Sequence, residues 1–379
     1  MGDRPGMSDG SGMSNRPVMG DRLRLPSKQQ LMRTLRGNAV PLMFLSLCAL
    51  GIIWSGKPPM FLLQEAVVRM ARNSFTVLSL VIPVIAGLGL NFAIVLGAMA
   101  AQAGLIAVTA WGVKGVGGLA VANLVATPIA LLLGWVAGEI MNRAKGREMV
   151  TGMILGFFMN GVYQLVFLFG IGTVIPLNNR AMVLPQGVGL RNTVDLVTVK
   201  YSLDRLLAIN TGVAVIPLAT FIVIGLLAWA MLSFLRTKLG QDMRAVGQDM
   251  RVAEISGIKV DRVRRVAVLT STVLASIGHI VFLQNIGTIN TYDSHGQIGT
   301  FAIAAMLVGG ATVSKATVGQ ALLGTFLFHL LFIVSPYAGQ NLLGSAQVGE
   351  YFRVFVAYAI IAFSLALHSL QRSKAAVRR

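Results

Sequence analysis

Long apolar runs separated by short polar or basic segments organise this chain. They cover residues 38–56, 74–90, 92–111, 118–141, 149–172, 211–235, 266–289, 298–313, 318–335 and 350–370. A helix needs about 17–25 mostly apolar residues to cross a bilayer, so the pattern predicts ten spans and an all-α polytopic membrane bundle. Some spans are interrupted or short. Residues 74–111 run almost without polar interruption and are too long for one span, and Pro83, Gly87 and Gly89 supply the break. Residues 298–335 divide in the same way at Gly309–Gly310 and Lys315. Between the first two spans, Pro58–Pro59 precedes an amphipathic pattern of Phe61, Leu62, Val67 and Met70, which predicts a short helix over 57–73 lying at the membrane interface.

Composition sharpens this picture. Of 379 residues 55% are hydrophobic and 12% charged, too few charges to coat a soluble domain of this size. The net charge of +18 raises the question of nucleic acid, but the basic residues sit between apolar runs and are not interleaved with polar and aromatic ones. That placement is the excess of Lys and Arg found in cytoplasmic loops of membrane proteins. With the N-terminus inside, 23 of the 32 basic residues fall on the cytoplasmic side, so both termini are expected in the cytosol. Residues 1–38 read as a basic cytosolic tail without a cleavable signal pattern, residues 39–370 as the transmembrane domain and 371–379 as a second basic tail. Residues 173–210 form the longest external segment, expected to be a plain solvated loop. The lone Cys48 offers neither a disulfide nor a metal pair, and His279, His329 and His368 lack ligand spacing, so no metal site is expected.

The cytoplasmic segment 236–265 is the most informative. The pentapeptide GQDMR occurs twice, at 240–244 and 247–251, and Gly240, Gly247 and Gly257 punctuate two short helices over about 241–246 and 250–256. Gly257 is placed as a helix stop. Ala245, Val246, Val252, Ala253, Ile255 and Ile258 form an apolar stripe with no membrane to cover it.

These residues resemble the ATPase-docking loop of ABC importer permeases, in the branch that handles ribose-type sugars, nucleosides and branched-chain amino acids. The resemblance rests on Arg244-Ala245-Val246-Gly247 and on Ala253-Glu254-Ile255-Ser256-Gly257-Ile258. It continues in the apolar run 301–308 ending at Gly309–Gly310, followed by Gly319 and Gly324, and in residues 88–102. It extends over about 74–370. The chain departs from the family at Phe301, where many relatives carry an acidic residue, and at 311–315, where a glycine-rich turn is usual. The resemblance implies a permease subunit that pairs with a second, identical or related permease subunit. It further implies two ATPase subunits docked on Gly240, Arg244, Ala245, Gly247, Arg251, Ala253, Glu254, Gly257 and Ile258, and an external solute-binding protein. ATP and Mg would be bound by the ATPases, with no cofactor in this chain. Residues 309–316 are a failed phosphate loop, with Ser314 and Ala316 where Gly and Ser/Thr are required, so hydrolysis is expected on a separate polypeptide and this chain is not expected to be an enzyme.

The predicted spans carry almost no charge, which argues against proton or sodium coupling and for a neutral or weakly polar solute. Polar uncharged residues then mark the pathway: Asn91, Gln102, Asn160, Gln164 and Asn285, with Asn123 and Gln284 beside them. Amides donate and accept, as sugar or nucleoside hydroxyls require, although each can equally bond a neighbouring helix. Phe157 and Phe158 are placed to stack on a ring. Arg180, Arg191 and Arg205 on the external segment are candidates for docking the binding protein. Simple sugars, nucleosides and a riboflavin-like vitamin all stay open as substrates. A secondary carrier or channel is the rival reading, which intramembrane carboxylates or a ring of pore charges would have favoured.

Overall fold

The computed structural model describes residues 38–377, except 178, 180 and 211–214, together with the side chains among them other than those of residue 364 and residues 367–377. The basic N-terminal tail and residues 378–379 therefore lie outside the described residues.

Each predicted apolar run contains an apolar helix. In chain order these are α1 (Ala39–Ser55), α2 (Pro59–Ser79) continued by the short α3 (Val81–Ile85), α4 (Ile94–Trp111), α5 (Gly115–Arg143) and α6 (Glu148–Leu165), whose end widens into a π-helical turn over Val166–Gly170. Then follow α7 (Leu218–Phe234), α8 (Lys238–Gln248), α9 (Met250–Ile255), α10 (Val260–Ile286), α11 (Gly296–Val308), α12 (Val318–Leu343) and α13 (Ala346–Val377). Among the described residues seven helices are long and apolar enough to cross a membrane, or eight if α7 and α8, bent by 74° at their junction, count as one. α1 and α11 are shorter apolar helices. The two predicted breaks are present. Gly87 and Gly89 adopt φ of 75° and 74° between α3 and α4, and α11 ends at Val308, immediately before the Gly309–Gly310 pair.

Two expectations change. The amphipathic segment 57–73 is not a separate interfacial helix, because α2 runs unbroken from Pro59 to Ser79. Pro58 and Pro59 start the helix, where a missing N–H costs nothing, and on the following turns Leu62, Ala66 and Ala71 are buried while Arg69, Arg72 and Asn73 line a cavity. Arg69 and Arg72 thereby enter a candidate span, and Arg353 does so on α13, so the spans are not free of charge. The external segment 173–210 is also not a plain solvated loop. Its strand β1 (Thr193–Asp195) pairs antiparallel with β4 (Thr288–Asn290), which follows α10, and β2 (Ala208–Asn210) pairs with β3 (Val215–Pro217). Leu190, Val194, Leu196 and Val199 are buried against Tyr163, Phe167 and Ile289 in a second core at this end of the bundle. The Tyr292 hydroxyl donates to the carbonyl of Leu190 (2.7 Å).

The main core lies between α2, α10 and α12, with α10 also packed on α4 and α5, and α12 on α1, α11 and α13. Small residues set the closest approaches. A Cβ at Gly309 would stand 1.8 Å from the carbonyl oxygen of Gln320, and one at Gly324 would stand 1.9 Å from that of Ala305. Backbone meets backbone here, the arrangement that small residues permit in membrane helices.

Candidate coupling and transport sites

The segment between α7 and α10 folds as two capped helices. Thr237 caps α8, its hydroxyl accepting from the Gly240 N–H (3.4 Å). The Asp249 carboxylate caps α9, accepting from the N–H groups of Arg251 (2.8 Å) and Val252 (3.1 Å). At the other end of α9 the Ile258 N–H donates to Ala253 O and the Gly257 N–H to Glu254 O, each at 3.0 Å, with Gly257 at φ 82°. This is a Schellman stop, for which a residue without Cβ is favoured.

The two GQDMR copies have identical sequence and different structure. The first lies inside α8, while the second straddles the α8–α9 junction and supplies the cap. Gly247 packs on the end of α3, where a Cβ would stand 2.0 Å from the carbonyl oxygen of Ile85. The apolar stripe also divides. Val246 and Ala253 are buried in the main core, with Ala245 and Ile258 half-buried against it. Val252 and Ile255 are 61% and 88% exposed, flanked by exposed Arg244, Arg251 and Glu254. Of the predicted docking residues, Gly240, Gly247 and Ala253 therefore shape the loop from within, and the free face is made of Arg244, Arg251, Val252, Glu254 and Ile255. Replacing Asp249 by Ala is expected to cost about 1 kcal/mol of local stability by removing the cap, whereas the same change at Asp242, inside α8, removes none. Hydrogen exchange at the Arg251 and Val252 amides separates the two.

Beneath α9 lies a side chain that the sequence did not single out. Arg264, on α10, is 0% exposed. Its Nη2 donates to Glu148 Oε1 at the start of α6 (2.6 Å), its Nε donates to Asn142 Oδ1 at the end of α5 (3.1 Å), and its Nη1 lies 3.2 Å from Met250 Sδ at the start of α9. One guanidinium thus joins four helices beneath the exposed face of α8 and α9.

The predicted pathway amides separate into three places. Asn91 lies in the α3–α4 break, donating to Ser271 Oγ (3.3 Å) and accepting from the Ala93 N–H (3.1 Å); it braces helices. Asn285 donates from Nδ2 to Asp204 Oδ2 (2.7 Å), as Gln284 does from Nε2 (3.0 Å), while Thr220 donates to Asp204 Oδ1 (2.6 Å). That buried carboxylate clasps the external segment to α7 and α10. Gln102 and Asn160 meet at a histidine that spacing alone did not reveal. His295 Nδ1 lies 3.0 Å from Gln102 Oε1 and its Nε2 lies 2.7 Å from Asn160 Oδ1, with Gln164 Nε2 3.4 Å from the same oxygen.

A neutral imidazole has one N–H. The contacts are met when Gln102 presents its amide nitrogen to Nδ1, since amide oxygen and nitrogen exchange places by a flip, and His295 donates from Nε2 to Asn160. The Gln102 Nε2, otherwise without a hydrogen-bond partner, then gains an acceptor. Asn160 and His295 line a cavity of about 450 Å³ with Phe157, Asp293, Thr300 and Tyr358, a size suited to a small solute. Phe157 and Phe158 are both exposed on α6, and of the two Phe157 lines the cavity. Of the external arginines, Arg191 donates from Nε to the Val183 carbonyl (3.1 Å) and Arg205 lies over the Tyr201 ring (5.1 Å), both residues exposed. Arg180 lies outside the described residues.

A family model described as "Branched-chain amino acid transport system / permease component" matches residues 67–365. Among characterised relatives, the ribose import permease RbsC of Escherichia coli K12 is 26% identical over 261 residues, 68% of this chain and 72% of that protein. The nucleoside ABC transporter permease NupC of Lactococcus lactis is 31% identical over 147 residues, 38% of this chain and 44% of that protein. The autoinducer 2 import permease LsrC of Klebsiella pneumoniae is 34% identical over 115 residues, 28% of this chain and 33% of that protein. No solved structure matches the chain significantly. The family match covers most of the helical bundle, the capped loop between α7 and α10 included, and the chain belongs to this family as an integral-membrane permease component of the ABC-importer type.

Proposed function

We propose that this chain imports a small polar solute of the sugar or nucleoside type, by alternating access driven from separate ATPase subunits. The observation that carries the reading is the face of α8 and α9. It is held rigidly by two caps, a Schellman stop and the buried Arg264, yet it leaves Val252 and Ile255 uncovered beside Arg244, Arg251 and Glu254. An apolar pair rimmed by charges on a short stiff helix is the form of a protein-docking surface. Two permease subunits, identical or a related pair, would enclose the pathway, and two ATPases would bind the two loops. ATP and Mg belong to those partners. The excess of basic residues supports a cytosolic position for the loop and both termini.

The solute passes the His295–Asn160 cavity, where an amide and an imidazole offer the paired donors and acceptors that hydroxyl groups need. A solute-binding protein docks on the opposite face, where strand pairing and the Asp204 clasp keep Arg191 and Arg205 on a formed platform. Membership of the permease family favours this reading over a carrier that works without an ATPase.

Replacing Ile255 by Arg tests it. The side chain is exposed, so the bundle keeps its melting temperature, while ATPase co-purification and uptake fall by at least about tenfold, as for loss of an interface anchor. Full ATPase association in that variant would refute the docking assignment. Ala253→Arg is a poorer probe, because Ala253 is buried and the change would disturb the fold itself.

A further inference from the structure

The continuity of α2 has gathered three arginines round one cavity. Arg69 and Arg72 on α2 and Arg353 on α13 line a space of about 350 Å³, with His329 of α12 and the rings of Phe282, Phe301 and Phe332. Among the described residues no carboxylate lines it. Arg69 faces Glu65 at 3.8 Å and Arg353 bonds Glu350 at 3.1 Å, in each case one helical turn away on its own helix and with a more exposed carboxylate. Arg353 also donates to the Phe332 carbonyl (2.9 Å) and its guanidinium stands 4.7 Å from that ring. Arg72 differs. Its hydrogen bond goes to a neutral group, Asn285 Oδ1 (3.3 Å); its Nε, like those of Arg69 and Arg353, is buried without a hydrogen-bond partner. Glu65 and Asp204 act on it electrostatically from beyond ion-pair distance, Asp204 bonding the same Asn285. Among the described residues no carboxylate is within ion-pair distance of Arg72.

Charges kept inside a membrane bundle face its interior or a wet cavity and mark the route of a ligand. Here the cationic excess is uncompensated by lining groups, and a guanidinium offers forked donors suited to carboxylate or phosphate oxygens. The phenylalanines supply an apolar wall for a flat or aliphatic body. Arg72 lies 13 residues into α2, about 20 Å along it at 1.5 Å per residue. Its partner Asn285 is at the end of α10 farthest from the docking loop. The site therefore lies toward the end of the bundle opposite the loop, with Thr288 and Asn290 of β4 in its lining.

We propose that this cavity binds a small organic anion, its carboxylate or phosphate held by Arg72 with Arg69 and Arg353 and its body laid against the phenylalanines. The assignment rests on the transport reading for the statement that this anion is a transported solute, and it extends the solute class from neutral polar molecules to acids. The binding itself depends on neither ATPase nor uptake.

The test uses the full chain in nanodiscs of phosphatidylcholine alone, titrated with benzoate and with benzamide, its uncharged counterpart. Benzoate is expected to bind, benzamide to bind at least about tenfold more weakly, and Arg72→Gln to weaken benzoate by a similar factor. Arg143→Gln, at an exposed helix end, is expected to leave binding as in wild type. Should Arg72→Gln unfold, Arg353→Gln gives the same readout, and a melting curve identifies which variant to trust. Equal binding of benzoate and benzamide, or unchanged benzoate binding in a folded arginine variant, overturns the proposal. So does displacement of benzoate by phosphatidylglycerol added to the discs, with that lipid retained by wild type and lost from Arg72→Gln in native mass spectrometry, for the arginines would then hold a lipid headgroup. No ATPase is present, so a negative result leaves the docking reading intact, and failure of the Ile255→Arg test leaves this one intact.

Discussion

Replacing Arg264 by Met is expected to destabilise the protein by about 3–5 kcal/mol, the usual cost of removing one partner from a buried ion pair. Glu148 would be left buried with its charge uncompensated, and Asn142 and Met250 would lose their shared contact. The penalty comes from the orphaned carboxylate more than from the lost attraction. Removing both charges, as Arg264→Met with Glu148→Leu, should therefore recover most of the stability, because an apolar pair of similar volume tolerates burial. The double variant separates two roles of the site. If Arg264 only supports the fold, ATPase stimulation returns with the melting temperature. If it also transmits movement of α9 to α5, α6 and α10, stability returns while stimulation of ATP hydrolysis by solute stays low.

The second large effect is expected at the α11–α12 contact. Gly324→Ala would place a methyl group 1.9 Å from the Ala305 carbonyl oxygen and 2.7 Å from the Gly309 nitrogen. Restoring an ordinary contact of 3.4 Å to that oxygen means moving the two helices apart by about 1.5 Å. Overpacking of this kind commonly costs about 1–3 kcal/mol. The functional loss should exceed the stability loss, because His295 immediately precedes α11 and Thr300 lies on it, both lining the solute cavity. Uptake is expected to fall by at least about tenfold in a protein that still inserts and still binds its ATPase. Near-normal uptake by Gly324→Ala would mean that the helices part without moving His295. Gly319→Ala, where an added Cβ meets nothing within 4 Å, is the matched control.

The hydropathy pattern carried the helices because length and apolarity are properties of the segment alone. The breaks at Gly87, Gly89 and Gly309–Gly310 were legible for the same reason, as was the stop at Gly257. What depends on the surroundings was not legible. Both copies of GQDMR have the same residues, yet the first is helix and the second a junction, with its Gly247 packed against Ile85. The apolar stripe near the loop could not show which members face the core, and Ala253 and Ile255, two positions apart, face opposite ways. The amphipathic pattern over 57–73 has the same period whether its polar side meets lipid headgroups or an internal cavity. The path of α2 decides for the cavity and carries Arg69 and Arg72 inward. His295 was missed because its partners come from residues 102 and 160, far away in sequence. The polar stretch around it, between two apolar runs, was the available signal.

The ladder that closes the end of the bundle opposite the α8–α9 loop has a consequence for how the protein is made. Asp195 is paired with Thr288, 93 positions later in the chain. At synthesis rates of about 5–20 residues per second, roughly 5–20 s pass between the emergence of the two strands. During that interval β1 waits with its hydrogen-bonding edge open, while α7 to α10 are being produced. Asp204 waits too, since two of its three donors, Gln284 and Asn285, arrive with the end of α10. This platform is thus a late product of biogenesis, and a chain arrested before residue 284 would expose it to quality-control proteases.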